Sequence, residues 1–292
     1  MPESRIEYHL DTVLFRAALS FTAAQTGFSE RLIEKDYFCS AALADLSASD
    51  ETEIVFKGGT CLSKVHADFF RLSEDLEFSL STPVDATRSE RSQRLDGFKR
   101  HFAEVSNRCD CFRIDQRLTG FNNSLQYGAR LAYRSVISGQ DDFLKVEVSV
   151  REPIVEPHDL LPARTMLLDP FRRAAAVKPF RVRVLTPREA YAEKIRAALS
   201  RREPAIRDFF DLDHAFEMGR VSPSDPSLVR MLQDKLAIPE NEPVDTSEAK
   251  LMALRAQVDT NLRPVIRDAD FQKFDIERAF LRVAEFAAAL ND

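Results

Sequence analysis

The chain has no tryptophan, only four cysteines, five histidines and eight glycines, and no excess of positive charge. Each shortage removes a class of protein. Cys39, Cys61, Cys109 and Cys111 do not form a zinc pattern, because only Asp110 separates the last two and no histidine stands at ligand spacing. They read as reduced structural thiols. His9, His66, His101, His158 and His214 are scattered, which leaves no Ser-His-Asp or Cys-His arrangement for nucleophilic hydrolysis. No apolar run approaches the roughly 18 residues of a membrane span. The opening MPESRIEYHLDTVLF lacks the basic start and apolar stretch of a secretory signal, so a cytoplasmic protein is expected. Lys and Arg number 41 against 47 Asp and Glu, a formal net charge of -6. That balance excludes a basic nucleic-acid coat but leaves room for a local basic groove.

What is present is a 292-residue chain, 44% hydrophobic, long enough for a real core. Apolar periodicity predicts helices over 8–20 and 29–46, the second starting at Ser29. A short strand at 54–56 ends at Lys57, Gly58 and Gly59, and a helix follows over 60–69. Further strands are expected at 76–80, 111–114, 127–133, 144–150 and 180–184, with a helix around 93–106. Residues 81–92 read as a connection, and 153–179, rich in proline, as irregular chain. Thr186, Pro187 and Glu189 signal a helix start, with a hydroxyl cap, proline at the first position and an acid three residues on. A helix over 204–218 and two or three more across 227–289 complete an α/β (α+β) layout with a mixed sheet. The expected organisation is N-terminal helices (1–50) packing on a catalytic core (51–184), with a helical C-terminal domain (185–292).

Chemistry concentrates in a few strings. Gly58, Gly59 and Thr60 lie between a strand and a helix, where glycine lets backbone approach a ligand and a helix start offers N-H groups to phosphate. A tight structural turn explains the same pair. In Ser73-Glu74-Asp75-Leu76-Glu77-Phe78, inward Leu76 and Phe78 put Asp75 and Glu77 together on the opposite face. Such a pair calls for a neutralising cation, and hard oxygen ligands suit Mg2+; a solvent-facing strand is the alternative. Glu147, on a strand alternating Leu144, Val146 and Val148 with polar residues, supplies a third carboxylate. Three such groups can hold two metals, one activating a hydroxyl and one stabilising departing pyrophosphate. Lys194 flanks the buried stripe of its helix, as an ordinary boundary lysine also would. Arg207 and Asp211 are spaced for a surface pair worth about 0.2–0.5 kcal/mol, whereas Asp208 and Asp211, three apart, repel.

The order of GlyGlyThr, Asp75-Leu76-Glu77 and Glu147 resembles the DNA polymerase beta type of nucleotidyltransferase. The fuller strings are similar to its AbiEii-like branch, many members of which are toxins of type IV toxin-antitoxin pairs. These are Glu34-Lys35-Asp36-Tyr37, Phe56 to Lys64, Arg71 to Phe78, Glu189 to Ile195 and Arg207 to Leu212. The resemblance implies a mixed sheet flanked by helices, with a helical domain closing a nucleotide cleft. It implies an NTP substrate whose triphosphate lies at Gly58, Gly59, Thr60 and Ser73, and Mg2+ on Asp75, Glu77 and Glu147. It also implies a phosphate contact from Lys194, and Asp211, helped by Asp208, completing the site. The commonest family form has aspartate where this chain has Glu77. An RNA acceptor, in particular the 3′ end of tRNA, and a cognate antitoxin are the partners implied. Arg94, Lys99, Arg100, Arg172, Arg173, Lys178, Arg181 and Arg183 are candidates for an RNA-facing strip, or equally for solubilising charge.

Overall fold

The computed structural model describes residues 6–49 and 52–290. Helix α1 (Thr12–Thr26) begins after a 3-10 turn at Tyr8–Leu10, later than the sequence suggested, because Asp11 accepts from Leu14 N-H as its cap. Gly27, at φ +78°, ends it in the left-handed region. Ser29 caps α2 (Glu30–Leu46) as expected. Strand β1 (Val55–Lys57) leads directly into α3 (Gly58–Cys61), which widens into π-type turns through His66. The helix stops there, short of the expected 69, and Asp68 and Phe69 turn the chain with positive φ. Strand β2 (Asp75–Ser79) follows.

The stretch expected as a connection contains α4 (Arg88–Arg94), started by a capping box between Thr87 and Glu90. The single helix expected over 93–106 is instead α5 (Asp96–Ala103) and α6 (Val105–Arg108). Strands β3 (Arg113–Phe121), β4 (Gln126–Arg134) and β5 (Asp141–Ser149) form an antiparallel meander. The proline-rich stretch is more ordered than its composition suggested. It holds β6 (Asp159–Ala163) and a small hairpin of β7 (Leu168–Asp169) and β8 (Ala174–Ala175) before β9 (Phe180–Val184). Pro162 is tolerated because β6 is an edge strand, pairing only with β9.

The seven strands lie in the order β3-β4-β5-β2-β1-β9-β6. The sheet is mixed, since β2 runs parallel to β5 and β1 parallel to β9 while the other pairs are antiparallel. Its two faces differ. Leu76, Phe78, Leu144, Val146, Val148, Leu131 and Tyr133 are buried on one, where Phe38 of α2 stacks on Tyr133 at 4.1 Å and Phe98 of α5 meets Phe78 at 6.0 Å. The opposite face carries the half-buried Asp75, Glu77 and Glu147.

The chain divides into two units, the first ending at Leu185 and the second starting at Thr186. The second comprises α7 (Pro187–Ser200), α8 (Ile206–Glu217), α9 (Pro226–Leu236), α10 (Glu248–Arg255), α11 (Asp268–Phe271) and α12 (Ile276–Ala289). Thr186 accepts from Glu189 N-H as the cap of α7, but the Glu189 carboxylate turns to the buried Lys235 at 2.6 Å. Phe209 of α8 stacks on Phe280 of α12, and Asp213 takes Arg278 and Arg282 from the same helix. Among the described residues no helix is long and apolar enough to cross a membrane.

Candidate active site

Gly58 is favoured by conformation and by contact, and Gly59 by contact alone. Gly58 has φ +74°, and a Cβ there would stand 1.8 Å from Glu77 Oε2. A Cβ on Gly59 would stand 2.2 Å from Arg71 Nη2 and 3.4 Å from Ser73 Oγ. The turn therefore packs against β2 and the segment that leads into it, and a side chain at Gly58 would be strained by its positive φ while one at Gly59 would displace the Arg71 guanidinium. Two hydroxyls fasten the same segment to the helix after the turn: Thr60 donates to the Asp75 carbonyl and Ser63 to that of Arg71. Thr60 is buried, so its side chain braces β2 and any ligand contact at this position would come from backbone.

Strand pairing then assembles the carboxylates. In the parallel β2–β5 ladder Glu77 lies beside Glu147 and Asp75 beside Lys145, all on the face away from the core. Lys57 lies beside Glu77 across β1. Lys145 Nζ contacts Glu147 Oε1 at 2.9 Å. Burial alone would depress the Lys145 pKa, but the bond and charge of Glu147, with the charges of Asp75 and Glu77, hold it above its ordinary value. An ammonium thus offsets part of the negative charge of the acidic face from within.

Among the described residues no three His, Cys, Asp or Glu side chains already converge as a metal-ligating group. The donor set nonetheless fits a hard cation: oxygen ligands on adjacent strands in a field that already favours positive charge. Lys145 was not anticipated as part of the site from the sequence.

Beside this cluster a groove of about 450 Å³ runs across β5, β4 and β3. Asp75, Lys145 and Glu147 line one end and Phe121, Gly128, Arg130 and Phe143 continue it. Three of the basic residues considered for an RNA-facing strip have protein partners. Lys99 lies on α5 over Tyr127, on the covered face of the sheet, and bonds Ser92 and Asp96. Arg172 pairs with Asp169, and Arg181 donates to the Leu160 carbonyl. Lys64 is buried with Asp36, not poised for phosphate, and His66 contacts the Leu185 carbonyl.

In the second unit, Lys194 Nζ lies 2.8 Å from Asp208 Oδ1 and 3.1 Å from Asp211 Oδ2. The two aspartates are therefore held side by side by a shared ammonium, and Arg201 adds a second cation at Asp208, 3.1 Å away. Arg207, spaced so that it could pair with Asp211, donates to the Asn261 carbonyl. Arg201 is a further addition that the sequence reading lacked.

A mixed sheet with a glycine turn against an acidic strand, and a third carboxylate on the neighbouring parallel strand, is the architecture of a nucleotidyltransferase core. Residues 41–291 match the model of the nucleotidyl transferase AbiEii toxin family of type IV toxin-antitoxin systems, and the chain belongs to that family. It is accordingly a nucleotidyltransferase. Two solved structures share the fold. A candidate nucleotidyltransferase from H. pylori superposes with a TM-score of 0.54 at 15% identity, covering 90% of this chain and 96% of its own. JHP933 from Helicobacter pylori gives 0.52 at 16% identity, covering 90% and 94%. No curated protein matches the chain significantly.

Proposed function

We propose that the protein transfers a nucleoside monophosphate from an NTP to an acceptor hydroxyl at the 3′ end of an RNA, with tRNA the leading candidate. The observation that carries this reading is the register that sets Glu77 beside Glu147 and Asp75 beside Lys145, against the Gly58-Gly59 turn. Asp75, Glu77 and Glu147 would hold Mg2+, which when bound supplies charge neutralisation for the triphosphate and lowers the pKa of the attacking hydroxyl. Gly58, Gly59 and Thr60 offer backbone N-H groups of a helix start to phosphate, with the Ser73 hydroxyl beside them. Glu147 attracts the proton of the acceptor hydroxyl. Lys145, bonded to Glu147, offsets part of the negative charge of this face.

Lys194 is assigned a nucleotide-phosphate contact, with Asp208 and Asp211 orienting its ammonium. Such chemistry needs positioning and charge more than a covalent nucleophile. Membership of a toxin family points to loss of translation as the cellular consequence and to a cognate antitoxin, which in a type IV pair need not bind the toxin. The test is incubation of purified protein with each labelled NTP, magnesium and total cellular RNA. Label should enter one RNA class and disappear with Asp75→Ala, at least roughly a 100-fold loss. Full transfer by a correctly folded D75A protein rules out the assigned site.

A further inference from the structure

The acidic face does not end at Glu147. Its register partner on β4 is Gly128, and the Phe121 ring lies on that glycine, so that an added Cβ would meet Phe121 Cε1 at 3.2 Å. Phe121 remains 39% exposed, so one face of the ring is open to solvent. Two residues along β4, the Arg130 guanidinium sits over the Phe143 ring at 4.6 Å and is steadied by Asp115. The groove thus begins at the carboxylates and continues as an exposed aromatic ring beside an oriented, half-exposed guanidinium. Its volume of about 450 Å³ falls within the range of small-ligand sites.

Strand order gives this groove a direction. Reading across β3-β4-β5-β2-β1, the sequence of features is aromatic groove, Glu147, Asp75 with Glu77, and glycine turn. In phosphoryl transfer the entering and leaving oxygens stand roughly in line through phosphorus. With the departing phosphates at the glycine turn, the entering hydroxyl approaches from the opposite side, across Glu147.

We propose that the groove of Phe121, Gly128 and Arg130 is the acceptor subsite, and that it holds the terminal unpaired nucleoside of an RNA strand by stacking its base on Phe121. The proposal rests on the nucleotidyl-transfer reading above. Arg130 faces the backbone phosphate of that terminus, and the terminal hydroxyl is directed to Glu147. The hydroxyl oxygen forms a bond to the α-phosphorus, the α–β bridging bond breaks, pyrophosphate leaves with that electron pair, and the hydroxyl proton passes to Glu147. A ring and a guanidinium plane suit RNA ends because every base presents a π face and sequence-tolerant stacking needs little else.

The test uses the full chain without NTP and with metal chelated, titrated into short single-stranded RNA carrying a fluorescent purine analogue at its 3′ terminus. Stacking should quench the probe with wild type. Phe121→Ala should abolish the quench and weaken binding roughly 5- to 100-fold. Phe121→Leu, which keeps apolar bulk, guards against misfolding and should also lose the quench while retaining the wild-type melting temperature. The subsite is overturned if F121A and F121L quench as wild type does, if an internal probe responds as strongly as a terminal one, or if RNA fails to bind while protein becomes labelled. Wild type that labels RNA without quenching the terminal probe would sink this subsite alone. A persistent quench in a chain that transfers nothing would support the subsite and remove the catalytic reading instead.

Discussion

Two short acidic strings in the first unit look alike on paper and are opposite in the fold. Glu34 to Tyr37 lies on α2 and points into the protein. The Glu34 carboxylate accepts from Ser135 Oγ and Val136 N-H, both at 2.6 Å, and Asp36 binds Lys64, Thr165 Oγ1 and Met166 N-H. Tyr37 OH accepts from His9 N-H at 3.0 Å. Asp75 to Glu77 instead lies on a strand that buries Leu76 and Phe78 and leaves its carboxylates half-buried on the face that also carries Lys145. Charge density does not separate the two. What separates them is whether the acids are closed in by fixed donors from distant segments, which pins the fold, or face a groove with a displaceable cation, which suits a ligand.

The largest expected effect breaks the first string. Lys64 and Asp36 are 1% and 2% exposed, and Lys64 also donates to the Asp36 carbonyl at 3.0 Å and to Ser40 Oγ at 2.8 Å. Lys64→Met would strand a buried carboxylate and should lower stability by about 3–5 kcal/mol in chemical denaturation. If K64M unfolds with the wild-type midpoint, the network is not what holds α2 to the core. Asp75→Ala, by contrast, should leave that midpoint nearly unchanged while transfer collapses, so the pair of variants separates folding charge from site charge.

The next effect lies at the junction of the two regions. Gly58→Ala places a β-carbon in the left-handed region and against Glu77, and should cost more than about 1 kcal/mol. Part of that cost is steric and part is backbone strain. In a Glu77→Ala background the carboxylate clash is removed and only the 3.2 Å contact with the residue-77 β-carbon remains, so a double-mutant cycle should show the G58A penalty shrinking. An unchanged penalty in both backgrounds would mean that Glu77 swings away at no cost and that the close packing does not fix its position.

Much of this was legible locally and some was not. Alternation of Leu76 and Phe78 with Asp75 and Glu77 was enough to place both carboxylates on one face, and the repulsive spacing of Asp208 and Asp211 marked that pair, though not the Lys194 ammonium that lies between them. The cap at Thr186 needed only its own residues. Lys145 could not be identified as the acidic face's counter-ion, because its position depends on β2 pairing in parallel with β5, a choice that no local pattern encodes. Likewise Thr60 carries the same hydroxyl whether it meets phosphate or the Asp75 carbonyl; burial decides, and burial is tertiary. Strand β6 was hidden by its proline, which is compatible with a strand only because the sheet ends there.

The smallest effect concerns how the buried string responds to pH. Burial raises the pKa of Glu34 above the ordinary carboxylate range, and the repulsion of Asp142 adds to it, while the bonds from Ser135 and Val136 offset only part of the rise. For an acid whose pKa is raised by folding, the native state retains a proton that the unfolded chain has already lost. The stabilising contribution is therefore complete below the unfolded value and is lost as pH increases through the native one. Glu34→Gln removes that titration while keeping size and one acceptor. Between about pH 4 and neutrality, wild type should lose stability relative to E34Q, with the difference read from denaturation midpoints at each pH. A difference that runs the other way, with wild type gaining on E34Q as pH rises, would show that the bonds from Ser135 and Val136 outweigh burial and that Glu34 sits in the fold as a carboxylate.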